Sequence, residues 1–241
     1  MTNQKYNTKI AFVSGANRGI GKALVEALLA AGVKKVYAAA RDPKNLPAFN
    51  DARVVPVMLD ITKRDQIEKA VNLASDVNLL INNAGALAFS SVVTGRPEDL
   101  KSDMEVNYFG TVSMVNGFTP VLQKNGGGQV ANVISIVGLA PMAGIGGYSA
   151  SKAALFSATQ SMRAELKAKN ITVHGIFPGP IDTDMAKEFP LDKTSPAVTA
   201  QNILNGLAAG QEDIFPDPMS AQLGTVWNKD PKSLEKQFAM M

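Results

Sequence analysis

The sequence predicts an α/β fold: a single-domain, doubly wound arrangement in which a seven-stranded parallel sheet is flanked by helices on both faces. Short apolar runs rich in β-branched residues alternate with longer segments of helical period along most of the 241 residues, as in repeated βαβ units. Most of these runs are continuously apolar, which is typical of strands covered on both faces. Because no linker or internal repeat interrupts the pattern, we expect one domain covering residues 1–241.

Seven segments are predicted as strands: residues 9–14, 35–40, 54–59, 79–82, 129–135, 172–177 and 213–215. Five segments between them have helical patterns: residues 20–31, 64–74, 98–123, 148–169 and 199–209. The first of these helices is followed by Gly32, a residue type that commonly ends helices. Residues 180–196 are polar, contain prolines and lack a clean period. They predict a long loop, which we treat as a substrate lid at about 180–198.

Composition excludes several classes of function. The 24 basic and 21 acidic side chains give a formal net charge of only +3, so we expect binding to neither nucleic acid nor membranes. The chain has no cysteine, which excludes disulfides, thiolate metal sites and cysteine nucleophiles; we expect no metal. Residues 1–9 are polar, and no stretch approaches the roughly 20 apolar residues of a membrane span. We therefore expect a cytoplasmic protein.

A glycine-rich turn follows the first predicted strand and leads directly into the first predicted helix. It occupies residues 14–21, SGANRGIG, and we call it the glycine cradle. Glycines allow a tight turn and close approach to a pyrophosphate, whose charge a helix N-terminus favours. The strand before it and the helix after it disfavour the alternative of a plain βα turn. This Rossmann-type pattern predicts cofactor contacts at Gly15, Asn17, Arg18, Gly19, Ile20 and Gly21.

The end of the second predicted strand favours NADP(H) over NAD(H). Where such a fold places an acidic residue for the ribose 2′-hydroxyl, this sequence has Arg41. A guanidinium suits bidentate binding of a 2′-phosphate, and Arg18 can approach that phosphate from the other side. The alternative is that Arg41 is a solvated charge, partly neutralised by Asp42.

Tyr148 and Lys152 are candidates for acid/base chemistry. They lie four positions apart in a predicted helix and therefore share one face. A neighbouring ammonium and a cationic oxidised nicotinamide both stabilise a phenolate, so we expect the pKa of Tyr148 to lie below its usual value of about 10. Ser135 ends the fifth predicted strand, at the sheet edge where ligands of such folds bind. Alone, the Tyr148–Lys152 pair is equally compatible with an amphipathic helix surface.

The cradle, with its Gly-x3-Gly-x-Gly spacing, resembles that of the short-chain dehydrogenase/reductase family, as do Ser135, Tyr148 and Lys152. The resemblance runs from residue 9 to about residue 209. It implies that Asn107 holds a water linking Lys152 to solvent, and that Tyr148 and Lys152 also contact the cofactor, Lys152 through the nicotinamide ribose. The other cofactor contacts implied by family motifs are Asp60, Ile61, Asn83, Ala84, Gly85, Pro178, Gly179, Ile181 and Thr183.

The resemblance implies reversible, NADP(H)-dependent reduction of a ketone or aldehyde to an alcohol, with Asn107, Ser135, Tyr148 and Lys152 as the catalytic set. Tyr148 would donate the proton, while Ser135 would fix the carbonyl oxygen. Family membership also implies a homodimer or homotetramer, formed through the long helices at 98–123 and 148–169. Small or apolar residues near the catalytic set predict a hydrophobic substrate, unless they only pack the core: Ile136, Val137, Ala140, Met142, Ile145, Met185 and Phe189.

Other functions stay open at this point. One is an NAD(H)-dependent alcohol dehydrogenase of the same family, and another is a non-catalytic dinucleotide-binding redox sensor. A dehalogenase on this fold would carry arginine in place of Lys152 and would lack the cradle glycines. His174, the only histidine, lies in an apolar strand pattern and is better explained as a buried structural residue than as a base. Residues 218–241, with the single Trp227, carry no motif and either cover the pocket, form an interface or pack.

Overall fold

A computed structural model describes residues 6–240 as a seven-stranded, fully parallel sheet with helices on both faces. The strands are β1 (Ile10–Ser14), β2 (Lys35–Ala40), β3 (Val54–Met58), β4 (Leu79–Asn82), β5 (Gly128–Val133), β6 (Ile171–Ile176) and β7 (Asp213–Ile214). Their order is β3-β2-β1-β4-β5-β6-β7, which confirms the predicted fold class. Residues 1–5 of the polar N-terminal segment and residue 241 lie outside the described residues.

Helices connect these strands and also form the C-terminal part of the chain. They are α1 (Gly19–Ala30), α2 (Arg64–Leu73), α3 (Pro97–Met104), α4 (Thr111–Lys124), α5 (Gly146–Lys167), α6 (Pro196–Ala209), α7 (Pro218–Lys229) and α8 (Pro231–Phe238). Short 3-10 turns occur at Pro43–Asn45, Ile136–Gly138 and Asp184–Ala186. Between residues 6 and 240, no helix combines the length and the apolar character needed to cross a membrane.

The core forms two layers because the central strands are covered on both faces. All five residues of β1 are buried. Ala11 and Val13 pack with Leu24 and Leu28 of α1 on one face, and Phe12 lies on the other face, its ring centre 4.8 Å from that of Phe118 in α4. Each large apolar side chain buried in this way contributes about 1.5–3 kcal/mol. These two layers hold the strand ends, and therefore the loops of the site, in fixed positions.

The strand order reverses between β1 and β4, since β1 pairs with β2 on one side and with β4 on the other. In open α/β sheets, the crevice outside the carboxyl ends of the strands at such a reversal is where ligands bind. The glycine cradle follows β1 there, and the loop of residues 83–96 follows β4 there. The fold thus brings two motifs together that are about seventy residues apart in sequence.

Several predicted elements differ from the structure. The single helix predicted at 98–123 is interrupted by a π-helical stretch, Glu105–Gly110, between α3 and α4. The fifth strand ends at Val133, so the prediction that Ser135 ends it was wrong; the Ser135 side chain instead caps the turn Ile136–Gly138. The predicted lid is shorter than about 180–198, because α6 already begins at Pro196 and its N-terminal residue Ser195 caps it.

The C-terminal tail, for which the sequence predicted no helix, forms α7 and α8. Each helix begins with an Asp–Pro pair: the Asp217 carboxylate accepts the amide of Ser220 at 2.9 Å, and the Asp230 carboxylate accepts that of Lys232 at 3.0 Å. An aspartate cap followed by proline at the first helical position favours a helix start. Trp227 and Phe238 of these helices pack in a third apolar cluster with Phe156 of α5.

Candidate active site

A cavity of about 1080 Å³ lies at the carboxyl edge of the sheet, lined by the loops that follow β1 to β6. The predicted site residues that line it are Gly15, Asn17, Arg18, Gly19, Ile20, Arg41, Asp60, Ile61, Asn83, Ala84, Gly85, Ser135, Tyr148, Lys152, Pro178, Gly179, Ile181 and Thr183. Two predicted residues, Gly21 and Asn107, do not line it, and both are buried behind its wall. The fold therefore gathers nearly the whole predicted set around one space.

The glycine cradle can be built only with glycine at its tightest points. Gly15 and Gly19 have φ angles of +67° and +53°, in the left-handed region that side chains disfavour. A Cβ atom on Gly21 would lie 2.1 Å from the Gly15 carbonyl oxygen, a clash with backbone that cannot relax cheaply. Because α1 begins at Gly19, its first-turn amides have no intrahelical acceptor and suit an anion. These residues fit the pyrophosphate of a dinucleotide.

Ser14 fastens the cradle to the loop after β4. Its hydroxyl oxygen accepts the amides of Asn83 at 3.1 Å and Ala84 at 3.0 Å. The Asn83 side-chain amide donates in return to the carbonyl oxygens of Ser14 and Gly15, at 3.0 and 3.1 Å. Ser14 was not predicted as a site residue, although a small hydroxyl residue directly before a glycine turn is a usable signal. The cradle and the β4 loop therefore form one hydrogen-bonded unit.

Arg41 is exposed at the cavity wall. Its neighbour Asp42 accepts the amide of Lys44 at 3.0 Å and so caps the turn Pro43–Asn45. No ion pair joins Asp42 to Arg41 within residues 6–240. Asp42 therefore does not neutralise Arg41 through a direct contact. The exposure of Arg41 agrees both with a solvated charge and with a site for a 2′-phosphate.

Arg18 has an ion-pair partner that the sequence did not predict. Its Nη1 lies 2.6 Å from Oδ2 of Asp184 in the lid, and both side chains are largely exposed. An exposed ion pair of this kind contributes only about 0–1 kcal/mol. Arg18 therefore connects the cradle to the lid, and its predicted approach to a 2′-phosphate stays a prediction.

Tyr148, Lys152 and Ser135 meet at the other end of the cavity. Nζ of Lys152 lies 5.5 Å from the centre of the Tyr148 ring and donates to the carbonyl oxygen of Val133, at the end of β5, at 2.9 Å. The Ser135 side chain hydrogen-bonds to Tyr148. It also accepts the amide of Val137 at 3.3 Å. A phenol, a hydroxyl and an ammonium thus converge from α5 and from the loop after β5.

Burial controls how this pair titrates. Burial lowers the pKa of Lys152 to about 8, although the nearby Asp103 carboxylate opposes the shift. Burial also raises the pKa of Tyr148; the bond with Ser135 opposes this rise and Asp103 adds to it. The expected lowering of the Tyr148 pKa is therefore opposite to what the protein's own groups produce. At neutral pH the site holds a phenol beside an ammonium.

Asn107 lies in the π-helical stretch, an irregularity that is frequent at functional sites. Its side-chain amide donates to the carbonyl oxygen of Ala86 and to Oγ of Ser151, both at 2.9 Å. Its Oδ1 accepts the amide of Ala86 at 2.9 Å. The side chain therefore ties the β4 loop to α5, and the water-holding role implied by the family resemblance stays a prediction.

The end of the cavity near Tyr148 is largely apolar. The predicted substrate-flanking residues that line it are Ile136, Val137, Met142, Ile145, Met185 and Phe189. Ala140 does not line it and is buried in the cluster shared with the tail, which is the alternative of core packing. Further apolar lining that the sequence did not reveal comes from Leu87, Leu191, Met219 and Phe238. The tail thus supplies part of the cavity wall.

The tail is also fastened to the loop after β6. The Asp217 carboxylate that caps α7 accepts the amide of Gly179 at 2.8 Å. A Cβ atom on Gly179 would lie 2.8 Å from the same carboxylate, so glycine is needed for this contact. His174, in contrast, lies outside the cavity; its Nδ1 is 2.5 Å from the carbonyl oxygen of Gln211, and burial lowers its pKa.

Comparisons with known proteins agree on one family. The sequence model of the family described as short chain dehydrogenase matches residues 9–194. A 3-oxoacyl-(acyl-carrier-protein) reductase of Salmonella typhimurium is 30% identical over 213 residues, which are 86% of this chain and 87% of the relative. The family match spans the glycine cradle and Tyr148.

Solved structures extend the comparison to the whole fold. A short chain dehydrogenase from Burkholderia cenocepacia, in complex with NADP, has a TM-score of 0.92 and 37% sequence identity over 99% of both chains. A short chain dehydrogenase/reductase from Burkholderia phymatum, in complex with NAD, has a TM-score of 0.85 over 97% of this chain and 96% of its own. Its 22% identity supports the likeness of fold alone.

Proposed function

The chain belongs to the short chain dehydrogenase family, and we propose that it is an NADP(H)-dependent reductase that converts a ketone or aldehyde to an alcohol. The observation that carries the proposal is the convergence of Tyr148, Ser135 and Lys152 at one end of a cavity whose other end is the glycine cradle. The cradle fits a dinucleotide, and the convergent side chains fit proton transfer to a carbonyl oxygen.

The cofactor would bind along the polar length of the cavity. The cradle would hold the pyrophosphate, Arg41 a 2′-phosphate, Asp60 and Ile61 the adenine, and Lys152 the nicotinamide ribose. The preference for NADP(H) is supported by the exposed Arg41 guanidinium and by the 37% identical relative, which was solved with NADP. An NAD(H)-dependent enzyme of the same family is the alternative. When bound, the reduced nicotinamide supplies a hydride.

The chain's own residues would supply the proton and hold the oxygen. Tyr148, kept a phenol by burial, donates its proton to the substrate oxygen. Ser135 donates a hydrogen bond to the same oxygen and so orients the carbonyl. Lys152 stabilises the phenolate that remains on Tyr148, since its ammonium lies 5.5 Å from the ring centre. Asn107 positions the β4 loop against α5 behind these groups.

The substrate is a carbonyl compound with an apolar chain. Met142, Ile145 and Phe189 line the cavity beside Tyr148, and the tail adds Met219 and Phe238. Burial of such a chain contributes roughly 25 cal/mol per Å² of apolar surface. The Salmonella relative acts on 3-oxoacyl chains by its name, which supports including them among candidate substrates.

We further propose a homodimer or homotetramer through α4 and α5, where Phe109 is half-exposed near the start of α4.

The test is NADPH consumption with a panel of ketones, aldehydes and 3-oxoacyl thioesters of increasing chain length. The proposal predicts turnover that improves with chain length until the apolar end is filled. NADPH binding without turnover of any carbonyl would favour the redox sensor. Equal efficiency with NADH and NADPH would remove the assigned cofactor preference.

A further inference from the structure

Asp103 is a fully buried carboxylate that the mechanism proposed above does not use. It lies in the last turn of α3, four residues before Asn107. Its Oδ1 accepts the amide of Ala88 at 3.1 Å, whereas its Oδ2 has no hydrogen-bond partner among the described residues. A buried carboxylate with a free oxygen is costly unless an opposite charge compensates it. Its position therefore needs an explanation beyond packing.

The free oxygen lies against the first turn of α5. A Cβ atom on Gly147 would be 3.3 Å from Oδ2 of Asp103 and 2.6 Å from Leu100. Gly147 directly precedes Tyr148, and its amide donates to the carbonyl oxygen of Ser90 at 3.3 Å. Only a residue without a side chain lets α3 approach this closely. The Asp103 carboxylate thus lies close to the turn of α5 that carries Tyr148.

The charged and titratable groups that interact electrostatically with Asp103 are Lys152 and Tyr148 on α5 and Asp99 on α3. Asp99 is engaged with Arg96 at 2.8 Å. No ion pair within 4.0 Å joins Asp103 to Lys152 among the described residues, but both belong to one buried cluster: a Cβ atom on Gly85 would lie 3.6 Å from Nζ of Lys152 and 3.1 Å from Oδ1 of Asn107, one helical turn after Asp103. Lys152 is therefore the opposite charge that acts on Asp103. Lys152 is itself buried, and its hydrogen bond goes to the neutral carbonyl of Val133. Burial raises the pKa of Asp103, and its bond to Ala88 and the charge of Lys152 oppose that rise.

We propose that Asp103 is a positioning residue that serves as the buried counter-ion of Lys152 and holds the β4 loop against α3 through Ala88. Its negative charge keeps Lys152 an ammonium and Tyr148 a phenol during reduction. The role acts through these two residues, because Asp103 does not line the cavity. It rests on the proposed function, in which Tyr148 is the proton donor.

The first test compares Asp103→Asn with the parent protein in the pH profile of kcat/KM for carbonyl reduction. Asparagine keeps an oxygen for the Ala88 amide and removes the charge. Without that charge both Lys152 and Tyr148 lose their protons more easily, so the alkaline fall in rate moves to lower pH by about one unit. The rate on the neutral plateau changes by less than about threefold, since proton donation itself is intact.

Asp99→Asn is the matched control, because it removes a carboxylate from the same helix one turn earlier, where Arg96 already neutralises it. Its profile stays where the parent profile lies. An unshifted Asp103→Asn profile overturns the proposal, and so does an equal shift in both variants. If Asp103→Asn does not fold, Asp103→Ser also removes the charge and serves the same comparison.

A second readout does not depend on turnover. The ultraviolet phenolate absorbance of each protein, minus that of its Tyr148→Phe counterpart, follows the ionisation of Tyr148 alone. The proposal predicts ionisation at lower pH in Asp103→Asn than in the parent or in Asp99→Asn. If the parent reduces no carbonyl, the proposed function fails while this titration still decides the role of Asp103. An unmoved titration overturns that role.

Discussion

The two ends of the cavity are constructed in different ways. At the cradle end, the shape comes from backbone: glycines in the left-handed region, and the Ser14 hydroxyl that joins the loops after β1 and β4. At the substrate end, the shape comes from apolar side chains carried by the lid and by α7 and α8. A backbone-built site tolerates almost no added atom, whereas a side-chain-built site adjusts in volume.

The same contrast appears in how each end is held. The cradle and the β4 loop directly follow β1 and β4, two central strands that are buried on both faces. The lid contacts its surroundings through exposed or half-buried groups, among them the Arg18–Asp184 pair and the rings of Phe89 and Phe189, 5.6 Å apart. We therefore expect substitutions at the cradle to act on cofactor binding in an all-or-none way, and substitutions at the lid to tune substrate choice.

Gly21→Ala should have the largest effect of the cavity substitutions. Its Cβ atom would lie 2.1 Å from the Gly15 carbonyl oxygen, so the cradle must open, and NADPH affinity should fall by more than about 100-fold. Isothermal titration with NADPH measures the loss. Gly126→Ala is the control: Gly126 has a φ of +88° but nothing within 4 Å of the added atom, so affinity is kept. Normal NADPH binding by Gly21→Ala would contradict the backbone-built cradle.

Arg41→Ala should separate the two cofactors. Loss of a charge-assisted contact to a 2′-phosphate costs about 1.5–3 kcal/mol, so the KM for NADPH should rise roughly tenfold to hundredfold while that for NADH stays constant. Steady-state kinetics with both cofactors provides the check. Arg18→Ala serves as the comparison, with a smaller rise because its guanidinium is engaged with Asp184. Equal effects of Arg41→Ala on both cofactors would show that Arg41 does not read the phosphate.

The rate of carbonyl reduction should depend on alkaline pH through Lys152. The pKa of Lys152 is lowered to about 8 by burial, so the ammonium is present below that pH and is lost as the pH rises through it. Reduction should therefore slow above about pH 8, by up to tenfold per unit. Rate profiles with saturating NADPH measure this limb. Lys152→Met has no ammonium to lose, so it should be slow and its rate should show no fall above about pH 8. If that alkaline fall persists in Lys152→Met, it belongs to another group.

Phe189→Ala should have the smallest effect. Removal of the ring deletes its contact with Phe89 and part of the apolar wall, worth about 0.5–1.5 kcal/mol. The KM for long-chain carbonyls should rise roughly two- to tenfold while the KM for NADPH does not change. Glu188→Ala, an exposed neighbour in the lid, is the control. An equal loss of NADPH affinity would show that the two ends are not independent.

The sequence predicted the features that depend on strand patterns and on backbone conformation. Continuous apolar runs located all seven strands within two residues at each end, and the cradle glycines were readable because their conformation excludes other residues. The π-helical stretch at Glu105–Gly110 was not predicted, since one extra residue per turn leaves the helical pattern of apolar residues almost unchanged. Helices α7 and α8 were missed, although the Asp–Pro pair at the start of each was visible in the sequence.

Contacts between segments that are distant in the chain could not be predicted from the sequence patterns. The partner of Arg18 depends on where the lid lies, and the burial of Asp103 depends on how closely α3 approaches Gly147. The Tyr148 pKa is a related case: a helical spacing reveals that Lys152 is near, but not that burial raises this pKa when the protein's own groups act alone. Tertiary packing sets these properties, and they are the ones that tune the chemistry.

The most direct test of the central claim compares Tyr148→Phe with the parent protein in both NADPH binding and carbonyl turnover. Phenylalanine keeps the ring that packs on Lys152 and removes the proton that Tyr148 would donate. We predict that turnover falls by at least about 100-fold while the Kd for NADPH changes by less than about threefold. Turnover equal to that of the parent, at unchanged NADPH affinity, would contradict the assignment of Tyr148 as the proton donor.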